Sequence, residues 1–113
     1  MLRRKGYYVW RIPSSGSRPS KKLESYLPDV FAVNKRKRLL VAFEVKLTNR
    51  NTITIPKYQV RKIIKFINGF PSVLKRKAVV AVYFAHEKKW VFKEVFRIDD
   101  VKLSVTDVSN VNL

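Results

Sequence analysis

LPDVFAVNKRKRLLVAFEVK, residues 27–46, decides the fold, because it reads as two β-strands with a charged reversal between them. Val30–Val33 and Leu39–Val45 are rich in β-branched and apolar residues, and the basic stretch Asn34–Arg38 is the turn that joins them. If this hairpin is centred on the Arg36–Lys37 peptide, Asp29 lies directly across from Glu44, and strand alternation puts Lys46 on the side of Glu44. Two carboxylates and one ammonium then converge near the start of one strand and the end of the next. Facing carboxylates repel unless something positive lies between them. In a chain with only eight acids, a divalent cation such as Mg2+, which favours oxygen ligands and keeps several waters, is a natural occupant. Such an ion polarises a phosphodiester and lowers the pKa of a bound water, while Lys46 positions that water or stabilises charge developing in the transition state. The competing reading is structural: Asp29 ends a turn, and Glu44 pairs with Lys46 or another base on the sheet surface. Against it, Val41, Ala42, Phe43 and Val45 make the strand apolar, where charged groups are costly without a purpose.

Upstream, Gly6 and the run Tyr7–Ile12 read as a strand leaving a helix end or turn, stopped by Pro13. Residues 14–20 form a small-residue loop, made positive by Arg18, Lys21 and Lys22. Downstream of the hairpin comes a polar connection, and Pro56 then suits the first turn of a helix. Val60, Ile63, Ile64, Ile67 and Phe70 recur at helical spacing as its core face, and Gly69 and Pro71 mark its end. Lys57, Arg61, Lys62 and Lys65 fall mainly on the other sides, either as a solvated basic face or as DNA contacts. Ala78–Phe84 is a nearly continuous apolar run of the kind found in central strands, with Trp90–Val95 as its partner across the His86–Lys89 turn. Beyond Arg97 three readings stay open: an edge strand, a packing arm or partial disorder.

The 113 residues suit one domain, 1–113, and 46% hydrophobic content suits a folded one. The net charge of +17 is unevenly placed: residues 1–86 hold twenty Lys and Arg against Glu24, Asp29 and Glu44, while residues 87–113 hold five of each sign. Such a field attracts a polyanion and releases its counterions, which makes nucleic acid the leading partner. A membrane surface is disfavoured: no apolar run is long enough to span a bilayer, no signal-peptide pattern opens the chain, and no basic amphipathic anchor is evident. The absence of Cys excludes disulfides and thiolate metal sites and suits an intracellular setting, and the lone His86 cannot build a zinc site. Any metal should therefore be a hard cation on carboxylates.

Four blocks then carry a resemblance. Arg-Ile-Pro-Ser-Ser-Gly-Ser at residues 11–17, Leu-Pro-Asp-Val-Phe-Ala at 27–32, Phe-Glu-Val-Lys at 43–46 and Tyr-Gln-Val-Arg-Lys at 58–62 resemble, in order and spacing, the archaeal Holliday-junction resolvases of the PD-(D/E)xK nuclease superfamily, over roughly residues 2–95. The resemblance implies an α/β (α+β) fold, with a mixed central β-sheet flanked by helices in a restriction-endonuclease-like core. It also implies a homodimer whose two active sites cut opposing strands of a four-way DNA junction with Mg2+, for which Mn2+ can substitute, in an archaeon or an archaeal virus. Asp29 and Glu44 match the family's metal-binding carboxylates, Lys46 its catalytic lysine, and Ser15 a loop serine at the scissile region. Gln59 corresponds to a helix position near that lysine. Lys5, Arg11, Arg18 and Arg61 are phosphate contacts by charge and position. The family also carries a glutamate on a helix preceding the Leu2–Gly6 segment, which this sequence starts too late to contain, and Glu24 lies in the wrong place to replace it. The expectation is therefore either a missing N-terminal segment, with one sheet face left exposed, or altered cleavage with junction binding kept. A non-catalytic DNA-binding or packaging protein accounts for the charge equally well, but makes the Asp29–Glu44–Lys46 alignment a coincidence.

Overall fold

In the computed structural model of the chain, which describes residues 2–12, 28–71, 74–111 and 113, the apolar runs form the middle of a mixed sheet. Its strands are β1 (Tyr7–Arg11), β2 (Val30–Asn34), β3 (Leu39–Thr48), β5 (Lys75–Phe84) and β6 (Lys89–Val95), in the order β1-β2-β3-β5-β6. β4 (Thr52–Ile55) and β7 (Val101–Ser104) pair in a separate two-stranded sheet. β3 and β5 run parallel, so a crossover must join them, and the segment containing β4 and the helix α1 (Lys57–Asn68) supplies it. The α+β class is the one expected. The flanking helices reduce, among the described residues, to α1 and one 3₁₀ turn at Arg3–Lys5.

The hairpin forms in the expected register, Val30 opposite Phe43 through Asn34 opposite Leu39. Its reversal is closed by the Lys37 N–H donating to Asn34 Oδ1 at 3.0 Å, a local side-chain bond that Asn makes readily in turns. Gly6 adopts φ +89°, the left-handed conformation that lets the 3₁₀ turn hand over directly to β1.

On α1 the stripe Val60, Ile63, Ile64 and Ile67 is buried against Leu40 and Ala42 of β3 and Val80, Val82 and Phe84 of β5. Pro56 sits one residue before the helix rather than in its first turn, and no side chain of its own caps it. Instead Asp100 Oδ1 accepts the Lys57 N–H at 2.7 Å, placing a carboxylate at the positive end of the helix dipole. At the other end, the Arg76 guanidinium of β5 donates to the Phe70 and Ile67 carbonyls at 2.9 and 3.3 Å.

The second sheet face is not bare. Tyr7, Ala32, Leu39, Val41, Phe43, Val79 and Ala81 are buried there, with Leu2, Val111 and Leu113 packed against them. The tail beyond Arg97 contributes both a strand, β7, whose Val101 and Leu103 join the core on the α1 side, and a packing arm that supplies part of this cover. Ser109 Oγ accepts the Phe92 N–H and Asn110 Oδ1 accepts the Glu94 N–H, both at 2.9 Å, so the arm occupies the outer margin of β6.

Candidate active site

β2 stops at Val30, but the ladder continues one residue further through Asp29. Its N–H donates to the Phe43 carbonyl at 3.1 Å, and its carbonyl accepts the Ile12 N–H at 2.9 Å. Its carboxylate Oδ2 then accepts the Val45 N–H at 2.9 Å, a bond that holds the side chain against β3 beside Glu44. Along β3 the even-numbered residues face α1: Leu40 and Ala42 belong to the core beneath that helix. Glu44 and Lys46 follow on the same side by strand alternation. Their register partners on β5, Val80 and Val82, are fully buried apolar residues, so the carboxylate rests on a dry floor.

Glu44 is only 2% exposed, one of two buried polar or charged residues among those described. Lys46 Nζ lies 3.4 Å from Oε2, and Lys62 Nζ reaches in from α1 to 3.5 Å from Oε1. At 3.5 Å Lys62 is an ion-pair neighbour and not an aligned hydrogen-bond donor, and Oε1 has no hydrogen bond. Burial raises the Glu44 carboxyl above the usual carboxylate range, and the charge of Asp29 adds to the rise; Lys62 and Lys46 oppose it without cancelling it. The folded protein therefore holds the Glu44 proton more tightly than the unfolded chain does. Stability from this group rises as pH falls through its raised pKa toward the ordinary glutamate value, and is lost again as pH climbs back through that window. Accordingly Glu44→Gln should flatten the dependence of the thermal midpoint on pH through that window. Calorimetry across pH checks this, and an unchanged pH dependence would contradict it.

The structure thus brings Asp29, Glu44 and Lys46 together on one face. Gln59 is half-buried on α1 one turn before Lys62, with Oε1 buried and unbonded and Nε2 donating to Tyr58 Oη at 3.4 Å. Arg11 and Arg61 are exposed, Arg11 next in sequence to the residue that bonds Asp29. Lys5 is exposed at the end of the 3₁₀ turn, and its carbonyl accepts Asn34 Nδ2 at 3.2 Å. Ser15, Arg18 and Glu24 lie outside the described residues. Lys62 is the site residue that sequence reasoning missed, since it read as part of a basic face that is either solvated or in contact with DNA. The available signal was its place one helical turn after Gln59, bordering the Val60–Ile63–Ile64–Ile67 stripe.

Among the described residues no third His, Cys, Asp or Glu joins the two acids. Two carboxylates, one with a buried oxygen lacking a hydrogen bond, are a donor set that fits a hard, partly hydrated cation such as Mg2+.

The profile of the family described as archaeal Holliday junction resolvase (Hjc) matches residues 1–110. A crossover junction endodeoxyribonuclease Hje of Sulfolobus acidocaldarius is 32% identical over 105 residues, covering 93% of this chain and 69% of the relative. Its counterpart from Saccharolobus solfataricus is 29% identical over 105 residues, with 93% and 71% covered. Among solved structures, Hjc of Archaeoglobus fulgidus, a Holliday junction resolvase, aligns with a TM-score of 0.60 at 28% identity over 80% of this chain; the match spans 64% of that resolvase's length. With the profile match running almost end to end, the chain belongs to the archaeal Holliday junction resolvase (Hjc) family, a family of junction-resolving nucleases.

Proposed function

We propose that this protein is a Mg2+-dependent, structure-selective endonuclease that resolves four-way DNA junctions by paired phosphodiester cleavage. The observation that carries the reading is Glu44: a carboxylate buried on an apolar floor beside a second carboxylate costs stability, and a site for chemistry is a reason to keep it. A purely packaging or DNA-binding protein has no use for that arrangement.

Asp29 and Glu44 would hold the ion, whose contribution when bound is Lewis-acid polarisation of the scissile phosphate. Asp29 is oriented for this by the Val45 N–H, which fixes its carboxylate against β3. Lys46 presents an ammonium two residues from Glu44 on the same face, able to orient a water and to stabilise negative charge growing on the phosphate oxygens. Arg11, Arg61 and Lys5, with Arg18 and Ser15, would engage the backbone, reading shape rather than base sequence. The excess of positive charge suits this, and no helix among the described residues is long and apolar enough to cross a membrane. The protein would act on DNA inside the cell.

Paired cleavage needs two active sites, hence a homodimer. An aromatic row supports it: Trp10 stacks on Phe31 with centroids 5.0 Å apart, and the row continues through Phe66 to Phe70. Tyr8 and Trp10, at 53% and 46% exposed, leave part of that row open to a symmetric partner.

The test compares junction, flap, single-stranded and duplex DNA in Mg2+, in Mn2+ and in chelator. Junctions should be nicked on opposing strands at least about tenfold faster than duplex, with no cutting in chelator. Metal-independent cutting, or no cutting of any branched substrate, would defeat the proposal.

A further inference from the structure

We propose that Lys62 is the resident counter-cation of the metal site: its ammonium holds Glu44 Oε1 in the metal-free protein and is displaced when a divalent ion arrives. The inference rests on the reading of Asp29 and Glu44 as metal ligands.

Glu44 offers two oxygens, and each is held by a different lysine, Oε2 by Lys46 at 3.4 Å and Oε1 by Lys62 at 3.5 Å. Lys62 acts on Oε1 through charge alone and leaves that buried oxygen without a hydrogen bond. Oε1 is therefore the oxygen more easily released to an incoming cation.

Charge balance points the same way. Asp29 and Glu44 supply two negative charges, and Lys46 and Lys62 supply two positive ones beside them. A divalent ion entering between the acids with both lysines in place would leave the pocket strongly overcharged above an apolar floor that screens poorly. Withdrawing one ammonium relieves that excess. The Lys62 side chain is 23% exposed and swings on a four-carbon stem, so it reaches solvent by side-chain rotation without movement of α1. Lys62 thus keeps Glu44 paired while the metal is absent, and the metal must compete with it. It is a positioning residue, not a group that touches the scissile phosphate.

The test is calorimetric titration of Mn2+ into the intact protein without DNA at pH 8.5, for wild type, Lys62→Met, Lys62→Gln, Lys62→Arg and Asp29→Asn. Removing the competing charge should tighten Mn2+ binding about three- to tenfold in both neutral variants, as expected for loss of a partly exposed ion pair. Lys62→Arg keeps the charge and should bind no more tightly than wild type. Neutral variants of native circular dichroism that bind Mn2+ equally or more weakly would overturn the role of Lys62 and leave the metal site standing. Wild type that fails to bind Mn2+, or Asp29→Asn that binds it undiminished, would instead remove the metal reading and this inference with it.

Discussion

Asp29→Asn is expected to lower junction cleavage by about a thousandfold or more while leaving junction binding within about threefold of wild type. The substitution separates charge from shape. An asparagine oxygen can still accept the Val45 N–H that Asp29 Oδ2 accepts at 2.9 Å, so the join between β2 and β3 survives. What disappears is one of the two carboxylates that, among the described residues, can face a cation at this place. The loss also removes a charge that raises the Glu44 carboxyl, so the variant should be no less stable than wild type, and a fall in activity cannot be assigned to unfolding. Binding, by contrast, draws on the long-range field of a chain with net charge +17, which the change makes slightly more positive. Single-turnover cleavage read beside fluorescence anisotropy on the same junction gives both quantities. Cleavage retained within tenfold would mean that Asp29 carries no metal, and parallel losses of cutting and binding would mean that it acts in DNA docking.

Phe84→Ala is expected to cost about 3–5 kcal/mol of folding stability, a large part of the roughly 5–15 kcal/mol that holds a domain of this size together. Phe84 is fully buried beneath α1 at the end of β5, in register with Thr48 of β3. Two residues earlier in the same register Val82 faces Lys46, so a void at Phe84 opens next to the strand end that presents the lysine. Urea denaturation measures the loss. A value under about 1 kcal/mol would mean that the core between α1 and the sheet is looser than its burial implies.

Features set by neighbours in sequence were legible from sequence. The hairpin register follows from symmetric strands around a basic turn, and extending it by one residue sets Asp29 across from Glu44. The stripe Val60, Ile63, Ile64 and Ile67 declared the buried face of α1 by its period alone. Features created by distant contacts were not legible. Thr52–Ile55 looked like a polar connection because four residues with alternating threonines carry little apolar signal, and the strand it pairs with, Val101–Ser104, lies far along the chain. β3 was expected to end at Val45 but continues to Thr48, because β5 offers a partner along its whole length. Lys62 is a related case: its charge placed it on the outside of a helix, and only the packing of α1 on β3 shows that its stem reaches back to Glu44. The expectation of a bare sheet face failed for the same reason, since Val111 and Leu113 return to it from the end of the chain.

Both ends of α1 are tied to side chains from other elements, Asp100 at the first turn and Arg76 at the last. A rod clamped at two supports can neither slide along its axis nor tip away from its bed. The separation between the helix-borne Gln59 and Lys62 and the strand-borne Glu44 is consequently a property of the folded chain, established before any ligand arrives. What stays adjustable is rotation about side-chain bonds: the frame is stiff, and its moving parts are single residues.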